Sequence, residues 1–295
     1  MARIQEAAKA ADWPAVRELL EARPESEDRT ELLWAVSEIS GVETWIPQAI
    51  EAEPGSALPL LVAGIRYISW GWEARTGARA QHVAREQFEV FHDRLRIAEK
   101  WLYEVAEREP GWASPWCGLQ VTGRGLEVGQ TAARRRFEAT VRRDPYHLRA
   151  HQQHLQQICA KWGGSHEEMH AFARRSMFGA PAGSMLGQLV AIAHLEHWLD
   201  LDAGADATYI RGPKVTASLR EAAERCVLHP DFVRRPGWVQ VYNTFAMAFS
   251  LAGDKAMARE CFEATDGSVT KFPWYYLNGS DPVAAYREHR SAAGR

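Results

Sequence analysis

Prolines at 110, 145 and 181 stand 35 and 36 residues apart, and each closes the same local pattern. In Ala133-x3-Phe137-x2-Thr140-x4-Pro145 a small residue, a large one and another small one share a helical face. Proline then stops the helix, because it lacks an amide hydrogen and its ring collides with the turn before it. The spacing recurs at Ala98/Leu102/Val105/Pro110 and, more loosely, at Met169/Ala173/Ser176/Pro181. Earlier copies fall at Asp12/Val16/Leu19/Pro24 and Val42/Ile46/Ala49/Pro54. A period of this length is that of a two-helix unit, which cannot bury its apolar face alone and must stack on its neighbours. The pattern therefore predicts an all-α fold, a right-handed α-solenoid of antiparallel helix pairs, with residues 1–295 forming a single helical-repeat domain.

Four stretches differ in regularity. Residues 1–54 read as N-terminal helix pairs, with Asp12 capping the second helix and Pro14 in its first turn. Residues 55–181 hold longer repeats, including a helix of roughly 25 residues ending at Pro110, which is long for a globular chain. They also hold a helix from Tyr146 to Trp162, a break at Gly163-Gly164, and a helix closing at Ala180-Pro181. Residues 182–236 are less regular, and Asp200 to Pro213, rich in Asp, Gly and Ala, reads as a flexible loop or lid. Residues 237–295 supply a well-formed C-terminal repeat and a capping helix that hides the open end of the array. No alternating runs joined by Asn-Gly or Asp-Gly turns compete with this reading.

A formal charge of −3 is small, and Arg and Glu are interleaved rather than gathered into blocks. That excludes a strong electrostatic pull toward nucleic acid or a membrane surface. Cys117, Cys159, Cys226 and Cys261 are far apart, with no CxxC pair, and each sits in an apolar helical pattern. They read as reduced, buried small hydrophobes in a cytoplasmic protein. The stretch from Met1 to Leu20 is amphipathic and broken by Asp12 and Pro14, so it has the form neither of a leader nor of a membrane span.

Two segments resemble the tetratricopeptide repeat. Tyr242, Phe245-Ala246 and Phe249 match its helix A positions. Ala258, Phe262 and Thr265 match helix B, with Thr270 where proline is expected. Ala133, Phe137, Thr140 and Pro145 repeat the helix B set with Thr in place of Ala. Lys161-Trp-Gly-Gly-Ser165, Trp72-Glu-Ala-Arg75 and Ala193-His-Leu-Glu196 also look like a family of uncharacterised bacterial proteins with a tetratricopeptide-like fold. The resemblance implies a concave groove lined by helix A, here at Arg124, Arg149, Gln152, Gln156, Gln240 and Asn243, holding a protein or peptide segment. Gln152 and Gln156 occupy the places where some members carry a Lys/Asn carboxylate clamp, which sets aside a partner held by its C-terminus.

The candidates for chemistry each have a plainer structural reading. His166-Glu-Glu-Met-His170 has the HExxH spacing that sets two imidazoles on one helical face for zinc. Yet Ser165 is a natural N-cap and Glu168 completes a capping box, placing both histidines in the exposed first turns of a helix. His147, His151 and His154 share a face; His151 falls inside the apolar stripe and reads as a core histidine. His194 and His197 can face together while Glu196 points elsewhere, and a metal between the two histidine-bearing helices is the sharper alternative. Twelve tryptophans are many for this length, and packing between repeats, with Glu73 and Arg75 pairing across helices, accounts for them. The competing view is a cavity walled by Trp70, Trp72, Glu73, Arg75, His151, Lys161, Trp162 and His194, in which Arg75, Arg124, Lys161 and His194 gather round a small anionic ligand. No phosphate loop, nucleophile elbow or dinucleotide fingerprint is present. The expected protein is thus a non-catalytic binding scaffold without metal or cofactor, the alternative being an enzyme or small-molecule carrier enclosing that cavity.

Overall fold

The computed structural model of the chain describes residues 1–23, 27–75 and 83–294. Among them it is all-α, seventeen helices packed against their neighbours with no strand. The chain divides into two compact units, Met1–His154 and Leu155–Arg295.

The first unit contains α1 (Ala2–Lys9), α2 (Trp13–Glu21), α3 (Glu27–Ser37), α4 (Val42–Ala52), α5 (Leu58–Arg75), α6 (Arg85–Arg108), α7 (Ser114–Gly125), α8 (Gln130–Val141) and most of α9 (Leu148–Gln157). Local chemistry sets the helix ends. The Asp12 carboxylate accepts from the Ala15 amide at 3.1 Å, and Pro14 lies in the first turn of α2, where its missing N–H is not needed. Helix α5 is apolar nearly all round and buries Leu58 through Arg66 without a gap. The 24-residue α6 is amphipathic and shows α5 a single stripe of Phe91, Leu95, Ala98, Leu102 and Val105. Gly64 permits that approach, since a Cβ there would lie 2.8 Å from the Leu102 side chain. Alternate helices pack as well: α1 on α3, α3 on α5, α5 on α7, and α3 again on α7.

The second unit contains a 3-10 turn (Ala160–Trp162), α10 (His166–Gly179), a 3-10 turn (Met185–Gly187), α11 (Gln188–Asp200), α12 (Ala205–Ile210), α13 (Pro213–Arg225), α14 (Trp238–Ala252), α15 (Lys255–Ala264), the short α16 (Lys271–Trp274) and α17 (Pro282–Ala293). Its centre is α11, buried from Gln188 through Glu196, with α10, α12, α13 and α14 packed around it. Helix α14, buried from Val241 to Phe249, carries α15, α16 and α17 on its other side.

Two elements depart from the sequence reading. The expected loop or lid at Asp200–Pro213 contains α12, whose Ile210 is 1% exposed. The helix expected from Tyr146 to Trp162 runs only over Leu148–Gln157, and Ala160–Trp162 forms a separate 3-10 turn. Pro24 and the Thr76-Gly77 turn lie outside the described residues. All four cysteines are buried free thiols. No helix of the described residues is long and apolar enough to cross a membrane.

Candidate functional site

The aromatic and basic residues singled out in the first unit come together at the end of α5 and the start of α6. Trp70 stacks under the Arg94 guanidinium, 3.5 Å from carbon to ring centroid, and Arg94 Nη1 donates to the Trp70 carbonyl at 2.7 Å. Trp72 packs edge-on against Phe91 at 4.8 Å, and both Arg75 and Arg124 lie over its ring, at 5.4 and 5.9 Å. Arg124 is steered there by Gln153 on α9, whose side-chain oxygen accepts from Nη2 at 2.8 Å. Trp70, Trp72, Arg75, Arg94 and Arg124 are all half-buried, so the cluster is neither core nor free surface. The Trp72 indole N–H has no acceptor among the described residues.

Glu73 does not pair across helices. It takes both Nη atoms of Arg66, at 2.7 and 3.1 Å, one turn pair earlier on the same helix. Arg66 is wholly buried and also donates to Glu43 at 2.6 Å and to the Ser37 carbonyl at 2.7 Å. Burial alone would raise the Glu43 carboxyl, but the hydrogen bond and charge of Arg66 hold it below the ordinary carboxylate range.

Arg149 is likewise tied down within the unit. Its guanidinium bonds Glu31 at 2.7 and 3.0 Å across 118 residues of sequence and lies over Trp34 at 5.0 Å. Its amide donates to Glu27. Glu27 is pushed up to about 8 by desolvation first, then by the like charge of Glu31. A carboxyl raised on folding favours the native state below its unfolded pKa of about 4.5, and this advantage disappears as pH climbs through about 8. Glu27→Gln is therefore expected to leave thermal stability nearly unchanged at pH 5. At pH 9 it should raise the unfolding free energy by about 2–4 kcal/mol; urea melts at the two pH values check this.

His151 is buried, as its place in the apolar stripe implied, with Nδ1 against the His147 carbonyl at 2.9 Å and its ring edge-on to Phe137. His147 joins a buried chain through Thr30 to Ser114, at 3.1 and 2.8 Å, and His154 stacks on Phe137 at 4.3 Å. Desolvation lowers His147 to about 3 and His151 and His154 to about 4, so all three are neutral rings packed in the unit. Gln152 is half-buried on the same helix.

In the second unit the chemistry divides about α11. On one side the buried Glu196 carboxylate accepts from Lys161 Nζ at 2.6 Å, from Gln156 Nε2 at 2.5 Å and from the Tyr276 hydroxyl. Although burial pulls the Lys161 ammonium down, the charge and hydrogen bond of Glu196 hold it above its ordinary value. On the other side His194 Nδ1 meets the Tyr209 hydroxyl at 2.8 Å and its Nε2 meets Ser218 Oγ at 3.1 Å. His170 Nε2 lies 3.1 Å from both Tyr209 and His197 Nδ1, and His166 stacks on His197 at 3.8 Å while reaching Asp200 at 3.0 Å. Ser165 does cap α10, with Glu168 N donating to its hydroxyl at 3.1 Å. The helix start is not a simple exposed turn, however, because α11 and α12 cover the HExxH histidines. Desolvation lowers His170 to about 4 and His194 to about 3.

No group of three or more His, Cys, Asp or Glu among the described residues has the geometry to hold a metal ion. No family profile and no curated protein matches this chain.

The remaining expected groove residues lie inside the second unit. Asn243 is fully buried, its amide donating to the Val239 and Ser268 carbonyls while its oxygen accepts from the Trp274 indole at 2.6 Å. Gln240 gives its backbone carbonyl to Thr244 and Gln188. Trp162 is half-buried in the 3-10 turn. Sequence reading missed Arg66, Arg94, Tyr209 and Tyr276. Arg94 had a legible signal, lying on an amphipathic helix that follows a Trp-rich one. Tyr209 had none, because its segment read as loop.

Proposed function

We propose that this protein is a non-catalytic binding scaffold that holds a protein or peptide segment against helical repeats of tetratricopeptide-like, right-handed antiparallel form. The observation that carries the reading is the half-buried arginine and tryptophan face of Trp70, Arg94, Trp72, Arg75 and Arg124. Tryptophan and arginine are the residue types that concentrate binding energy in protein contacts. Here the rings hold each guanidinium in place before a partner arrives, which cuts the ordering cost of association. The packing of alternate helices in the first unit supports the repeat character. The groups that could do acid or base chemistry support a scaffold too, since Glu196, Arg66, Arg149 and His194 are all committed to internal partners. The face is cationic, so the preferred segment carries acidic and aromatic side chains.

The test is binding of the full chain to a library of fifteen-residue peptides graded in charge. Acidic, aromatic-containing peptides are expected to bind, and Arg94→Glu with Arg124→Glu to weaken them at least tenfold, about 1.4 kcal/mol or more. A charge reversal at the exposed Arg134 should have little effect. Undiminished binding by the double variant would defeat the reading. The two guanidinium groups over the Trp72 ring favour a second one, a small anionic ligand held between Arg75 and Arg124. A thermal shift with small carboxylates or phosphates that Arg75→Gln with Arg124→Gln abolishes would select it.

A further inference from the structure

We propose that Tyr209 and the imidazoles of His170, His194 and His197 form an acid-released latch that holds α12 against α10 and α11. Neutral rings are enough to make every contact. One arrangement of hydrogens satisfies every contact: the Tyr209 hydroxyl donates to His194 Nδ1, His194 Nε2–H donates to Ser218, and His170 Nε2–H is shared between Tyr209 and His197 Nδ1. All three rings are neutral in it. Protonated His170 and His194 would be two cations with ring centroids 4.7 Å apart, and protonated His170 and His197 two cations at 5.4 Å.

Little around the cluster can compensate such charge. Helix α10 brings His166 and the cation Arg174; α11 brings Asp200, which is exposed and already bonded to His166. Helix α13 brings Ser218 and Glu221, whose carboxylate is paired with Arg174 at 2.7 Å. Asp206 on α12 spends an oxygen on the Gly204 and Ala207 amides. Helix α14 touches α12 as well, but its ionisable group, Tyr242, donates to the Val227 carbonyl. Rings desolvated this far resist protonation in place, and become ordinary histidines only when the contacts open.

Helix α12 is the element that can yield. It is six residues long, and of these only Ile210 is fully buried, so Tyr209 and Ile210 are its main attachments. The sign follows from linkage: groups with lowered native pKa stabilise the closed form above the ordinary histidine value and lose that contribution as pH falls toward the native one. One ring passing from about 4 to an ordinary 6.5 favours the open form by roughly a hundredfold at pH 4.5.

Hydrogen exchange of the full chain between pH 7.5 and 4.5, corrected for intrinsic rates, tests this. Amides of residues 203–212 are expected to lose at least tenfold of their protection while α6 keeps its own. His170→Gln with His197→Asn, which replace the two contacting nitrogens by uncharged amides, should cut that loss severalfold and leave only the share that His194 carries. Should this pair not fold, Tyr209→Phe decides: it is expected to expose 203–212 already at pH 7.5 and to flatten the pH response. Equal loss in α6 and 203–212, unchanged protection in the wild type, or a wild-type pH response in whichever variant folds would overturn the latch.

Discussion

Arg66→Met is expected to lower the unfolding free energy by about 3–5 kcal/mol, the range found when one member of a buried ion pair is removed. The guanidinium is fully inaccessible and satisfies Glu43, Glu73 and the Ser37 carbonyl at once. Glu73 is nearly half exposed and can turn to water, whereas the Glu43 side chain is 12% exposed and cannot. Most of the loss is therefore the cost of a stranded Glu43 rather than the value of the bridge. Urea melts at pH 7 of Arg66→Met and of Arg66→Met with Glu43→Gln separate the two: the second change should recover at least half of the loss. If it recovers nothing, the methylene packing of Arg66 is what matters. The Glu43 carboxyl, held low by Arg66, adds stability above its unfolded pKa, and this is lost as pH falls through the native one.

Gly164→Ala is expected to have the other large effect, a loss above about 3 kcal/mol, beyond the usual range for overpacking. An added Cβ would sit 1.9 Å from the Ile158 carbonyl oxygen and 2.3 Å from its carbon. Those are backbone atoms, which cannot rotate aside as a side chain would. The same carbonyl accepts the Ser165 amide at 3.1 Å, and the Gly164 amide reaches the Cys159 carbonyl at 3.2 Å, so the chain is folded tightly on itself here. Disturbing this turn also displaces Lys161 from Glu196. Thermal melts by circular dichroism should show the loss. Gly253→Ala, at a left-handed position (φ 79°, ψ 10°) with open space around it, is the control and should cost only about 1–2 kcal/mol.

Much of the candidate chemistry was visible as residue types but not as arrangement. Trp72, Arg75 and Arg124 were legible as a set because tryptophan and arginine at helix ends are conspicuous, and the fold does bring them to one ring. The histidines were legible as pairs at helical spacing, yet nothing local tells whether His170 faces water or His194. That depends on where α11 and α12 come to rest, which is a matter of long-range packing. Asn243 shows the opposite failure: its repeat position implies a groove, while the Trp274 indole, 31 residues on, claims its side chain.

What the sequence by itself determined is the helical character and the positions of the breaks. The 3.6-residue periodicity, the prolines at 54, 110, 145 and 181, the Asp12 and Ser165 caps and Gly163-Gly164 act within a turn or two of themselves, so their effect does not wait on the rest of the chain. What only the tertiary structure decided is which polar groups meet. Arg149 finds Glu31 across 118 residues, and Glu196 collects Gln156, Lys161 and Tyr276 from 40, 35 and 80 residues away. Such partners are chosen by apolar packing of whole helices, and the charges then pair with whatever that packing leaves beside them, because an unpaired polar group in the interior is costly.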